Sequence, residues 1–401
     1  MTEPAPANPF LRYRTRLDSY IAAREVGWSD DQFVSLVNRL DEAVAAVEGH
    51  GFLVTPLIES PRLAEAIGIS APLHVKDDTG NVGGSHKARH LFGVMLHLAV
   101  TQQDSGELAI ASCGNAAVAA ATVARAVDRP LRVFIPTWAD AAVVEILRNL
   151  DARIEVAERN PGESGDPTYL RFTEAVTKGA IPFSVQGTST PTTLDGGRTI
   201  GWEIADQLGA ASGRLRLFVQ IGGGALASSA WMGLREGHPA FEGVLHAVQT
   251  EACAPLVRAW RYLTDDLGTR LGVEVPDLET DRAALFDGHG TKASKLMEDQ
   301  PERYMWPWEP VGTSAATGIL DDVTYDWQTV VGPMVDSGGW PVLVSEEQVV
   351  EANALGRTHT GIDVDPTGTA GLAGLLDDTT RRQIDADDQV VVLFTGRQRA
   401  S

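Results

Sequence analysis

Between residues 108 and 250 the chain alternates short apolar runs with helical stretches, and this alternation limits its fold more than any other feature. Residues 108–111, 131–135, 153–156, 181–185, 215–221 and 244–250 read as strands. Residues 116–127, 139–150, 169–177, 199–208 and 226–234 read as the helices between them. Strands joined by helical crossovers run parallel, and a parallel sheet needs helices on both faces. Residues 342–344 and a closing apolar run at 390–394 extend the pattern. The expected class is α/β, with two parallel-sheet lobes covered by helices. Ligands in such sheets sit beyond the carboxyl ends of the strands.

The first 50 residues form a helical extension to this body. Ser29-Asp30-Asp31-Gln32 has the spacing of a capping box, and Phe33, Leu36, Val37, Leu40, Val44 and Val47 fall on one helical stripe behind it. Ser345-Glu346-Glu347-Gln348 repeats that start signal. Residues 276–340 are rich in Asp, Gly, Pro and Trp and carry little periodicity.

A net charge of −21 repels phosphate backbones and anionic lipid, which argues against nucleic acid or membrane partners. No apolar run reaches the roughly 20 residues of a membrane helix, and Met1-Thr2-Glu3-Pro4 lacks a basic-then-apolar export pattern. Two cysteines, Cys113 and Cys253, are too few for a disulfide framework or a cysteine metal site. A cytoplasmic location is expected, and no metal.

Four segments carry chemistry. Gly83-Gly84-Ser85-His86-Lys87 places a lysine at the entry to the apolar run 91–98. Partial burial there lowers an amine pKa, as a Schiff-base lysine requires. Ser112-Cys113-Gly114-Asn115, followed by Ala116, lies between a strand and an alanine-rich helix, where backbone amides suit a carboxylate. Gly222-Gly223-Gly224-Ala225-Leu226 is a second strand-to-helix turn, able to aim successive N–H groups at a phosphate. The same residues, as Gly222-x-Gly224-x-x-Ala227 with Glu251 after the next strand, also fit a loose dinucleotide fingerprint, so an NAD-dependent oxidoreductase stays open. The fourth is a pair, Asp365-Pro366-Thr367-Gly368-Thr369-Ala370 and Phe394-Thr395-Gly396-Arg397. Taken singly, each has an ordinary reading as a solvated lysine, a helix cap or a turn.

Their order along the chain resembles the pyridoxal-phosphate enzymes of fold type II, the tryptophan synthase β-like family, over about residues 51–397. Thr55-Pro56-Leu57 resembles the opening of that domain. The resemblance implies a large cofactor-binding domain over 51–106 and 188–401, a small mobile domain over 107–187, and a homodimer. It makes Lys87 the Schiff-base lysine and proton shuttle, and Asn115 the partner of the ring oxygen. Ser112, Cys113, Gly114, Asn115 and Ala116 would receive the substrate carboxylate. Gly222 to Leu226 would hold the phosphate, and Thr395 would face the pyridine nitrogen. His86 resembles tryptophan synthase β chains, where this residue lies near the phosphate; the Asn loop and Thr395 look like threonine synthases and dehydratases. Gly312-Thr313-Ser314 and Trp306 to Trp308 would shape the side-chain pocket. Some relatives place metal-binding carboxylates after the strand at 244–250, where this chain has Gln249, Cys253 and Pro255.

The chain departs from the pattern at Cys113, a position that often bears a hydroxyl. At a helix start a thiol is a candidate second acid/base. The implied reaction is α,β-elimination on a small β-substituted amino acid. The alternatives are β- or γ-replacement and a non-catalytic scaffold that keeps the fold.

Overall fold

Except at 181–185, the apolar runs form the strands they predict, with ends shifted by at most one residue. In the computed structural model, which describes residues 6–103, 105–209, 213–238 and 242–399, ten strands are assigned among the described residues. They are β1 (Leu57–Glu59), β2 (Leu73–Asp77), β3 (Leu108–Ala111), β4 (Leu131–Pro136), β5 (Arg153–Ala157), β6 (Ile181–Pro182), β7 (Leu215–Gln220), β8 (Gly243–Thr250), β9 (Pro341–Val344) and β10 (Gln389–Phe394). Two compact units hold them, one with residues up to Thr55 and Gly80–Glu203, the other with Pro56–Thr79 and Ile204–Arg399. The opening segment Met1–Pro4 lies outside the described residues.

The first unit is built on a four-stranded parallel sheet in the order β5-β4-β3-β6. The run expected at 181–185 pairs over only two residues, after which Ser184 turns to donate its N–H to Thr190 Oγ1. The N-terminal helices belong to this unit's core. Phe10, Phe52 and Phe92 meet with ring centroids 4.6–5.2 Å apart. Helix Asp30–Glu48 carries the predicted capping box and buries Phe33, Leu36, Val37, Leu40 and Val44, while Val47 is half-buried. Helix Lys87–Val100 buries nearly every side chain after its first residue.

By their contacts, residues 6–55 and 80–203 share the unit of the smaller sheet, and their buried apolar side chains form one core with the helices that cover it.

The second unit has a six-stranded sheet in the order β1-β2-β10-β7-β8-β9, parallel except for the β1–β2 pair. Its central strands β7 and β10 are buried almost throughout, so they read as continuous apolar runs. Strand β2 escapes a reading for apolar runs because His74 and Lys76 interrupt it. Lys76 is nevertheless fully buried, its Nζ donating to Gln207 Oε1 at 2.9 Å. The weakly periodic stretch 276–340 holds helices Glu279–Ala283, Gly290–Asp299, Pro301–Tyr304 and Trp327–Ser337.

Candidate active site

Each unit carries one constellation of the singled-out residues. In the first unit, Gly83 and Gly84 both take φ of 67°, and the chain then enters helix Lys87–Val100 with His86 as its cap residue. Lys87 is half-buried, whereas Ser85 and His86 are buried. The Ser85 hydroxyl has no hydrogen-bond partner among the described residues.

One turn into the helix, Arg89 is fully buried with Glu203. Its guanidinium reaches Glu203 Oε1 at 2.5 Å, Thr199 Oγ1 at 3.0 Å and Thr55 Oγ1 at 3.0 Å. Thr55 in turn donates its N–H and hydroxyl to Glu203 at 3.0 and 3.1 Å. The threonine of the Thr55-Pro56-Leu57 motif is therefore part of the frame that sets the lysine's helix. His90 is also buried. Burial first, then the nearby charge of Lys87, holds its pKa down at about 3, although Nδ1 contacts Thr193 O at 2.9 Å. It is a neutral ring beside the lysine.

Asn115 is the first residue of helix Asn115–Ala126, and Ser112, Cys113, Gly114 and Asn115 are all half-buried, with buried Ala116 behind them. Gly114 N–H donates to Ser112 Oγ at 3.4 Å. The glycines leading to Lys87 pack on this same helix, since a Cβ at Gly83 would lie 3.7 Å from Ala119 Cα. The fold thus brings the lysine segment and the asparagine turn together in one unit.

In the second unit, the glycine turn, the Asp365 segment and Thr395 converge at the carboxyl ends of β7 and β10. Asp365 N–H donates to Gly396 O at 2.8 Å, and Gly368 packs so closely on Gly396 that a Cβ would meet its nitrogen at 2.7 Å. Gln220, the last residue of β7, donates from Nε2 to Thr395 Oγ1 at 2.8 Å and to Gly368 O at 3.2 Å. Sequence reasoning missed Gln220. Its signal was a polar residue at the buried carboxyl end of β7, where the preceding residues 217–219 are apolar.

Gly222 and Gly224 are buried and Gly223 half-buried, ahead of helix Ala225–Gly237, whose first residues Ala225 and Leu226 are buried. Gly224 takes φ of 102°, which only glycine adopts readily. A Cβ at Gly222 would lie 2.5 Å from Asp321 Oδ2 and 3.1 Å from Ile319 Cα. The turn presents backbone alone, as an anion cradle must.

Gly312 N–H donates to Ala252 O at 2.9 Å, past the end of β8. The Arg258 guanidinium lies 3.8 Å from the Trp306 ring and 5.3 Å from that of Trp308. Glu251, the acid of the dinucleotide fingerprint, is exposed. Gln249 accepts from Leu256 and Val257 N–H at 2.9 and 3.2 Å and so caps helix Pro255–Leu271. Burial, with Asp321 and Asp322 nearby, pushes the Cys253 thiol up to about 12.

Taken by residue type, each constellation suits part of a phosphorylated pyridine aldehyde: a lysine at a helix start suits an aldehyde, an amide-lined turn a phosphate, and a buried hydroxyl a ring nitrogen. Residues 50–396 match the family described as pyridoxal-phosphate dependent enzyme. The threonine synthase of Methanocaldococcus jannaschii is 23% identical over 365 residues, 85% of this chain and 74% of that protein. The serine dehydratase-like protein of Mus musculus is 28% identical over 197 residues, 49% of this chain and 56% of that one. Among solved structures, threonine deaminase isoform 2 of Solanum lycopersicum superposes with a TM-score of 0.63 at 16% identity, covering 93% of this chain and 91% of that chain.

Proposed function

The chain belongs to the pyridoxal-phosphate-dependent enzymes of fold type II, and from that premise we propose that it eliminates the β-substituent of a small amino acid such as serine or threonine. The observation that carries the choice is the group at the end of β10. It is Thr395, a buried neutral hydroxyl. A hydroxyl leaves a pyridine nitrogen unprotonated, which disfavours the deep charge delocalisation that transamination uses and favours loss of a β-leaving group.

Bound pyridoxal 5'-phosphate supplies the electron sink for the substrate's α-carbanion. Lys87 would carry the cofactor, and its free amine Nζ would take the substrate's α-proton. Asn115 donates its amide to the ring oxygen. The amides and hydroxyl of Ser112 to Ala116 receive the substrate carboxylate, which orients the α-hydrogen toward Lys87. Gly222 to Leu226 would hold the phosphate. Cys113 is the second acid, protonating the leaving hydroxyl from the face opposite Lys87. One water leaves and hydrolysis of the released imine takes one up, so serine yields pyruvate and ammonia.

The relatives named threonine synthase favour a second reading, replacement, in which a nucleophile enters where the leaving group departed. A dinucleotide enzyme would use only the glycine turn and leave the rest of the family match without a role. We further propose a cytoplasmic homodimer. No helix among the described residues is long and apolar enough to cross a membrane.

The test has two stages. The purified protein is expected to bind pyridoxal phosphate with visible absorbance that borohydride bleaches and that Lys87→Ala lacks. A panel of amino acids is then scored for ammonia, keto acid and new amino acid. Keto acid with ammonia from serine or threonine supports elimination, and a new amino acid formed only with an added nucleophile replaces it with the second reading. A coloured protein that turns over nothing would leave a scaffold. Unchanged turnover in Cys113→Ala removes that residue's role.

A further inference from the structure

The hydrogen bonds around Thr395 fix the direction in which its proton points. Gln220 and Thr395 are both almost fully buried. The Gln220 amide has one orientation that fits, because Gly368 O can only accept and so must face Nε2 rather than Oε1. With Nε2 fixed there, its other N–H falls on Thr395 Oγ1 at 2.8 Å. The hydroxyl is thereby an acceptor from Gln220 and still owns a proton, and among the described residues Thr395 Oγ1 donates to no acceptor. Turning the amide over would set two oxygens against each other at Gly368 and make the Thr395 hydroxyl donate to Oε1.

The arrangement also has a cost that packing alone does not explain. Gln220 Oε1 is buried with no hydrogen-bond partner among the described residues. A leucine would fill this end of β7 without burying an unsatisfied oxygen. What the amide adds over an apolar side chain is a donor aimed at one hydroxyl.

Resting on the reading in which Thr395 faces the cofactor ring, we propose that Gln220 is a positioning residue that holds the Thr395 hydroxyl as a proton donor to the ring nitrogen. A hydroxyl free to rotate serves a protonated nitrogen as acceptor or an unprotonated one as donor. A hydroxyl already accepting from an amide N–H presents its proton. Gln220 therefore selects the unprotonated ring without touching it, and biases the bound cofactor toward elimination.

The test is made on the holoenzyme reconstituted with pyridoxal phosphate labelled with 15N in the ring, in the wild type and in Gln220→Leu, Thr395→Val and the double variant. The wild-type nitrogen resonance is expected at an unprotonated, hydrogen-bonded position. Gln220→Leu should move it by at least half of the displacement that Thr395→Val produces. In the Thr395→Val background Gln220→Leu should add nothing, because the effect passes through the hydroxyl. A protonated nitrogen in the wild type overturns the inference. So does a Gln220→Leu resonance that matches wild type, or a shift that is undiminished in the Thr395→Val background. Cooperative unfolding checks each variant, and if Gln220→Leu does not fold, Gln220→Met is read by the same criteria. Absence of borohydride-sensitive colour in the wild type removes the cofactor reading itself, and it is seen before any label is used.

Discussion

The turn at Gly222–Gly224 and the turn at Ser112–Asn115 each join the carboxyl end of a parallel strand to the N-terminus of a helix, yet their surroundings differ. Around Gly222 the backbone and side chains of Ile319 and Asp321 leave no room for a Cβ. Around Gly114 a Cβ would meet nothing within 4 Å, and every residue from Ser112 to Asn115 is half-buried. One turn is packed to a single shape, which supports the proposal that it holds a group that never changes, the cofactor's phosphate. The other is open, as suits a substrate that enters and leaves. Two turns with the same local construction thus suit two ligands because of what is packed over them.

The largest effect that would sharpen this comparison lies in the frame of the open turn's own unit. Arg89→Leu leaves the Glu203 carboxylate buried without its guanidinium, and breaking such a pair costs about 3–5 kcal/mol. Urea unfolding is expected to show that loss, and a loss below about 1 kcal/mol would mean that the lysine's helix is held by packing alone.

Next in size is Gly222→Ala. The added methyl must displace Asp321 or the backbone at Ile319, an overpacking cost of about 1–3 kcal/mol. Titration of the apoprotein with pyridoxal phosphate should show binding weakened by about tenfold or more. The contrasting change, Gly114→Ala, meets open space at an ordinary φ of −131°. Unfolding stability should stay within about 0.5 kcal/mol and cofactor affinity should hold, with any loss confined to substrate KM. Equal damage to cofactor binding from both substitutions would break the comparison.

The smallest effect is chemical. The Cys253 thiol, pushed up to about 12, is almost wholly protonated at pH 8, while Cys113 is half-exposed on the open turn. Mild alkylation of the folded protein should label Cys113 and spare Cys253, as read by peptide mass. Labelling of Cys253 would show that its burial is not maintained in solution.

Much of this was legible in the residues because it depends on near neighbours in the chain. The strands from β3 to β10 announce themselves by apolar runs, and the two capping boxes at Ser29 and Ser345 form as their spacing requires. The glycine turn likewise begins the helix it was expected to begin. What was hard to read involves partners far apart. Strand β2 hides behind half-buried His74 and buried Lys76, which are held by Gln389 of its neighbour β10 and by Gln207. The stretch 276–340 has little period of its own because much of its structure is set by contacts with β8, with helix Pro255–Leu271 and with the turn at Gly222–Gly224.

Sequence alone determined the order of parallel strands and helices, the turns at their junctions, and the residue types offered there, since hydrophobic period and backbone freedom are local properties. Tertiary structure decided which unit each segment joins, that Gly222 has no space and Gly114 has it, and that Gln220 from one strand meets Thr395 from another. Those facts depend on distances between residues remote in the chain, and a hydrogen bond across 175 positions leaves no periodicity to read.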